Sequence, residues 1–245
     1  YREEFLRGPV FGGAASRSST GDLVPMAAAL GAQLGNMSHA WWDQVVLELT
    51  YRLTETIDDV YSPFGDSMII VNRFGRRVVN EKAPYNERGQ AHFEWDAHRL
   101  EYPNRVLFMI FDDDVLRSTV KSPFRWPVPL AGEQPDYLIS GDNWEELILR
   151  INEHLVAMGS FVGGVRLDTT FIQTLQTTIA QFNDAAHSGV DPDFARGSTM
   201  LEQRWAGVAR DGMPNSAMHP MSKTGPYHCI LLGGGALDTK GGPIT

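Results

Sequence analysis

Apolar positions recur with a helical period in two stretches of the chain. Leu147, Ile148, Ile151, Leu155 and Met158 form one stripe, and Phe171, Ile172, Leu175, Ile179 and Phe182 form another. The first predicts a helix capped by Asp142, with Glu145 at the capping-box position. The second predicts a helix from about Thr169 to His187, closed by Gly189. Both stripes read as core. A shorter helix is expected after Asp22 as N-cap, with Pro25 in its first turn and Gly31 or Gly35 at its end. Strand patterns fill the intervals. Ala40-Trp41-Trp42 followed by the alternation from Val45 to Leu49 reads as extended. Met68–Asn72 and Arg77–Glu81, flanking a turn at Gly75, read as a β-hairpin. Arg105–Asp112 is the clearest buried strand, and Tyr227–Leu232 is a β-prone strand that Gly233–Gly235 are expected to break. Thr50–Gly65 and the proline-rich stretch from Pro123 to Pro135 are loop-like. The order lacks βαβ repetition and gives an α+β fold.

Composition narrows the function classes. The 245 residues carry a net charge of −9, which argues against a nucleic-acid surface. No apolar run reaches the roughly 18 residues of a membrane span. The single cysteine, Cys229, excludes internal disulfides, fits a reducing cytoplasm and reads as buried filler. No dinucleotide fingerprint, Walker loop, zinc spacing or hydrolase elbow is present, so no metal is implied. Asp112–Asp114 reads as a solvated strand end or a cation site. The glycine-rich end, Gly225–Thr245, reads as backbone laid against a flat or charged ligand, or as a hairpin or tail.

Several stretches, taken together, resemble one family. Ser18-Ser-Thr-Gly-Asp-Leu-Val-Pro-Met-Ala-Ala-Ala-Leu-Gly-Ala32, Phe74-Gly-Arg-Arg-Val-Val-Asn-Glu81 and Thr239-Lys-Gly-Gly242 are similar to motifs of fumarate reductase/succinate dehydrogenase-type flavoproteins. Ala40-Trp-Trp42, Ala83-Pro-Tyr85 and Phe182-Asn183…Gly189-Val-Asp-Pro-Asp-Phe-Ala-Arg-Gly197 resemble the 3-ketosteroid dehydrogenase branch. The resemblance implies FAD as cofactor and two domains, of which this chain holds a substrate-capping domain plus incomplete pieces of the FAD-binding domain. The expected division is 1–60 as part of the FAD domain, 61–222 as the cap, and 223–245 as the return strand. The chain starts on Tyr1 rather than Met and stops just after a glycine pair, which reads as an internal segment of a larger protein. Alone, it is expected not to hold FAD tightly.

By the same resemblance, Tyr85 is the catalytic proton-transfer residue. A phenol with pKa near 10 needs a lowered pKa or a relay for that task, and Arg88 is near in sequence. Asp22, Asn80, Glu81, Gly241 and Gly242 are the implied FAD contacts, and Asp22 doubles as a helix cap. Tyr227 and His228 fall in the substrate-side segment, with His228 where the branch carries tyrosine. Arg76 and Arg77 read as surface or phosphate-side charges. The implied partner is a small apolar ketone or enoate, with a membrane surface at most a source of substrate. A fumarate-type reductase, for which Arg88 is the candidate acid, and a non-catalytic module with Trp41, Trp42, Trp95 and Trp126 around a pocket are the alternatives.

Overall fold

The computed structural model describes residues 5–6, 8–14, 20–52, 60–119, 125–206, 212–239 and 241–244. Ser18, Ser19, Pro123 and Lys240 of the sequence reading, and residues 53–59 of its 50–65 loop, lie outside them. In chain order the elements are α1 (Leu23–Ala29), β1 (Gln33–Gly35), β2 (Ala40–Val46), α2 (Leu47–Arg52), β3 (Met68–Val71) and α3 (Tyr85–Gly89). A short 3₁₀ turn (Gln90–Phe93) leads to β4 (Val106–Asp112), α4 (Asp113–Ser118), β5 (Ile139–Gly141), α5 (Trp144–Met158) and α6 (Phe171–Ser188). α7 (Met200–Trp205), β6 (Tyr227–Thr239) and β7 (Gly242–Ile244) close the chain.

The main sheet is antiparallel in the order β2-β6-β4-β3, with β5 also paired to the start of β6. Strand β4 is buried on both faces, and its alternate residues point oppositely. Val106, Phe108 and Ile110 enter a core shared with the stripes of α5 and α6. Leu107, Met109 and Phe111 enter a second core with Val79, Val115, Leu116 and Val128. The two helical stripes therefore cover one face of the sheet, while α4 and loops cover the other. Gly189 ends α6 in the left-handed conformation at φ 79°. The small antiparallel pair β1-β7 lies apart from this sheet and brings Gly242 opposite Gly35.

Four details differ from the sequence reading. First, Leu47–Leu49 begin α2 rather than extending β2. Second, Arg77–Glu81 forms no hairpin arm. It keeps one bridge, Val71 to Arg77, before its charged side chains turn into a buried network. Asn72 accepts from Phe74 N at 3.0 Å in the intervening turn, where Gly75 has φ 78°. Third, Gly233–Gly235 do not break β6, which continues through them to Thr239. These glycines serve close packing: a Cβ on Gly235 would lie 2.0 Å from Asp43 Oδ1, and one on Gly233 2.6 Å from Leu47 Cδ2. Fourth, the cap of α5 is Asn143, whose side chain accepts from Glu146 N at 3.0 Å, and Glu146 in turn accepts from Asp142 N.

Candidate functional site at an exposed aromatic face

Tyr85 is the first residue of α3, directly after Pro84, and is half-buried. Its ring stacks on Trp41 at 6.3 Å and 17°, and meets Tyr61 edge-on at 4.9 Å and 82°. Trp41 is 45% exposed and Tyr61 48%, so three aromatic rings face outward together. Strand register places Trp41 opposite Asp238, a few residues before the Gly241-Gly242 pair. β7 then returns beside β1 and α1. The structure thus brings Tyr85, Gly242 and the α1 segment to one end of β6. Gly242 has open space where a side chain would stand. Asp22 is exposed and accepts from Thr20 Oγ1 at 2.7 Å, without a side-chain bond to the helix it precedes. None of the residues of α1 is buried, and Leu23, Met26 and the adjoining Leu30 lie exposed.

Asn80 and Glu81 sit one layer deeper. Glu81 is 0% exposed and accepts from Arg77 Nε and Nη2 at 2.8 Å, from Arg196 Nη1 at 3.2 Å and from Ile70 N at 3.1 Å. Asp191 accepts from Arg77 at 2.9 and 3.1 Å. Arg77 is therefore a buried structural cation, not a surface charge. Burial works to raise the Glu81 carboxyl, but the Arg77 and Arg196 guanidiniums beside it prevail and hold its pKa below the usual range. Asn80 donates to Phe194 O and Glu202 Oε1, both at 3.2 Å. Both side chains tie β3, residues 77–81 and the 191–202 loop together a few residues before Tyr85.

Arg88 is 1% exposed, and its bonds run inward rather than to the Tyr85 hydroxyl. Its Nε donates to Gln44 Oε1 at 2.6 Å and Nη1 to Ala83 O at 2.8 Å; Nη2 donates to Val60 O and, at 3.4 Å, to Tyr61 O. Burial brings its pKa down to about 9, which leaves it charged at neutral pH. His92 stands behind Gln44. Its Nδ1 faces the Asn104 carbonyl at 2.8 Å, which only accepts, so Nδ1 carries the proton and Nε2 accepts from Gln44 Nε2 at 2.9 Å. Burial lowers the His92 pKa to about 4.

Tyr227 and His228 occupy the opposite end of β6, roughly 33 Å along the strand from the partner of Trp41. Tyr227 stacks on Trp144 at 3.6 Å and donates to Ser222 O at 3.2 Å; burial raises its pKa. His228 Nδ1 lies 2.8 Å from Ser140 Oγ, and burial lowers its pKa against the opposing pull of Asp113. The structure therefore separates these two residues from Tyr85.

A cleft of about 600 Å³ runs beside α3, lined by Trp42, Val79, Asn80, Ala83, Glu87 and Phe93. A larger groove of about 1090 Å³ follows the polar side of α6, past Arg76, Thr177 and Asp193, away from the aromatic face. The four tryptophans of the binding-module alternative pack on four different rings: Trp41, Trp42, Trp95 and Trp126 on Tyr85, Phe93, Tyr102 and Tyr137 respectively. Among the described residues no group of three or more His, Cys, Asp or Glu is placed to hold a metal, and no helix is long and apolar enough to cross a membrane. Cys229 is buried, and burial raises its thiol pKa.

The helix-covered antiparallel sheet, whose long strand returns through a glycine pair beside an open aromatic face, is a mixed α/β unit that aligns with FAD-dependent flavoenzyme structures. The model of the FAD binding domain family matches residues 14–245, and the chain belongs to that family, whose cofactor is FAD. It is 31% identical over 234 residues to 4-oxocyclohexanecarboxylate 2-dehydrogenase of Sinomonas cyclohexanicum, covering 93% of this chain and 36% of that protein. It is 30% identical over 229 residues to 3-oxosteroid 1-dehydrogenase of Mycolicibacterium smegmatis, with 92% and 36% covered. The chain thus spans about a third of the length of these relatives. Its fold matches 3-ketosteroid Δ1-dehydrogenase from Sterolibacterium denitrificans in complex with 1,4-androstadiene-3,17-dione, with TM-score 0.74 at 24% identity over 100% of this chain and 40% of that one. A flavocytochrome c3 fumarate reductase in the open conformation matches with TM-score 0.53 at 18% identity, over 98% and 32%. The motif resemblance to the 3-ketosteroid dehydrogenase branch is borne out.

Proposed function

We propose that this chain carries the catalytic tyrosine and substrate-covering part of an FAD-dependent dehydrogenase. The enzyme acts on a carbon–carbon bond next to a ketone in a small apolar ring substrate, steroid-like rings included. The observation that carries this reading is Tyr85, half-buried between Trp41 and Tyr61 at the end of β6 where the glycine pair returns. Residues 61–222 form the substrate cap, and 1–60 with 223–245 belong to the FAD-binding domain; the pairing of β6 with β4 and β5 carries the sheet across that division. The aromatic face suits a flat apolar ring, and the curated relatives are named for oxo-cyclohexanecarboxylate and oxosteroid substrates. A cytoplasmic location belongs to the same reading.

The residues present fit FAD. Open backbone at Gly242, the Asp22 carboxylate and the uncovered apolar side chains of α1 offer hydrogen-bonding and apolar surface to a large flat group. Gly241, Gly242 and Asp22 would hold it, while Asn80 and Glu81 would act from behind by fixing the segment that leads to Tyr85. When bound, FAD supplies the hydride acceptor. The chain's own task is to orient the ring and to take the proton from the carbon beside the ketone at Tyr85 Oη. Tyr227 and His228 would shape the far end of the cap rather than the reacting atoms. The reductase alternative needs an arginine open to substrate, whereas Arg88 is turned inward. Tyr85→Phe in the FAD-loaded full-length protein tests the reading. Flavin reduction by a cyclic ketone should slow by roughly 10²–10⁴-fold with substrate affinity retained. An unchanged rate would overturn it.

A further inference from the structure

Three segments distant in sequence each deliver one ring to the exposed aromatic face: β2 brings Trp41, the 60–61 segment Tyr61, and the start of α3 Tyr85. One buried guanidinium touches all three segments. Arg88 Nε donates to Gln44, three residues beyond Trp41 on β2. Its Nη2 donates to Val60 O and Tyr61 O, the carbonyl of Tyr61 itself. Its Nη1 donates to Ala83 O, at the entry to Pro84 and Tyr85. Behind this fork, His92 in its single compatible tautomer fixes which way the Gln44 amide points, so that Gln44 Oε1 faces Arg88. Two further contacts hold α3 against β2. Trp42 N donates to Asn86 Oδ1 at 3.1 Å, and Gly89 packs so tightly on Asp43 that a Cβ there would lie 2.7 Å from Asp43 O.

We propose that Arg88, held by Gln44 and His92, is the positioning residue that sets the Trp41–Tyr85–Tyr61 arrangement and, through it, the place of the Tyr85 hydroxyl. The inference rests on the reading of Tyr85 as the proton-transfer residue. Its physical content is the planar fork: a guanidinium aims donors in several fixed directions, whereas an ammonium of equal charge cannot span carbonyls on separate segments. Charge alone is therefore not what the position requires.

The test uses full-length protein loaded with FAD and a cyclic ketone, with flavin bleaching followed in single turnover. Arg88→Lys, which keeps the charge, should slow bleaching on the order of 100-fold, the scale of a misplaced reacting group. The ketone dissociation constant should change little. Gln44→Met, a milder change that leaves the carbonyl bonds of Arg88 in place, should slow it by roughly tenfold and covers the case where Arg88→Lys does not fold. The discriminating measurement is a double-mutant cycle. Adding Tyr85→Phe to either variant should cost far less than it costs the wild type, because both changes disable one device. Additive effects, or a wild-type bleaching rate in Arg88→Lys or in Gln44→Met, would overturn the inference. If Tyr85→Phe alone bleaches at the wild-type rate, it is the reading of Tyr85 that fails.

Discussion

Replacing Glu81 with glutamine keeps the shape of the side chain and removes its charge. In the native fold two buried guanidiniums, Arg77 and Arg196, share two carboxylates, Glu81 and Asp191. The substitution leaves one carboxylate for two cations and takes away an acceptor from a side chain that has three charged donors and one backbone donor. Removing one partner of a buried pair costs about 3–5 kcal/mol, because the remaining charge is left without compensation. For a chain of this size that corresponds to a fall in Tm of roughly 6–20 °C. Asp136→Asn makes a good control. It breaks the ion pair between Asp136 and Arg52, whose side chains are 76% and 51% exposed respectively, and should lower Tm by no more than about 4 °C. Thermal unfolding followed by tryptophan fluorescence reads both. The pH dependence gives a second check. The folded-state pKa of Glu81 is lowered, so its contribution is present above the ordinary carboxylate value of 4.5 and is lost as pH falls through the folded value. Glu81→Gln should therefore lose less stability than the wild type on acidification below that point. A Tm shift for Glu81→Gln as small as that of Asp136→Asn would refute the account of the network.

Other expectations follow from single contacts. His92 is held neutral with a pKa of about 4 against the usual 6.5. Stability should be complete above pH 6.5 and fall by about 3 kcal/mol as pH drops to 4, since the unfolded chain takes up the proton first; urea midpoints across that range for wild type and His92→Gln should converge at low pH. Gly235→Ala should destabilise by more than an ordinary strand substitution, because its Cβ would meet Asp43 Oδ1 at 2.0 Å; Gly242→Ala, with open space around it, should leave urea unfolding unchanged. Asn143→Ala removes the cap of α5 and should cost about 1 kcal/mol in the same assay.

How far the fold was legible depended on whether the signal was local. The stripes of α5 and α6 were readable because each faces a single core, and β4 because an unbroken apolar run has no solvent face to alternate with. The second hairpin arm was not readable. The charges that pull Arg77–Glu81 off the sheet come from Asp191 and Arg196, far along the chain, and no local period carries them. Gly233–Gly235 looked like a strand end for the same reason. What fills their missing side-chain volume is Leu47, Phe11, Phe93 and Asp43 from other segments. At the candidate site, family motifs pointed to Tyr85 and to the glycine pair, and the structure gathers both at one end. Tyr61 carried no motif, and the resemblance that singled out Arg88 gave no sign of its inward fork. Tyr61 became visible only through its edge-on contact with Tyr85.

The role proposed for Tyr85 is proton transfer beside FAD on a ring ketone. Anaerobic mixing of the FAD-loaded full-length protein with a 3-oxosteroid, or with an oxo-cyclohexanecarboxylate, tests it most directly. The flavin band should bleach in the wild type, and bleaching should be slowed by at least about a hundredfold in Tyr85→Phe. A flavin that stays oxidised with both ketones, or bleaches equally fast without the Tyr85 hydroxyl, would contradict it.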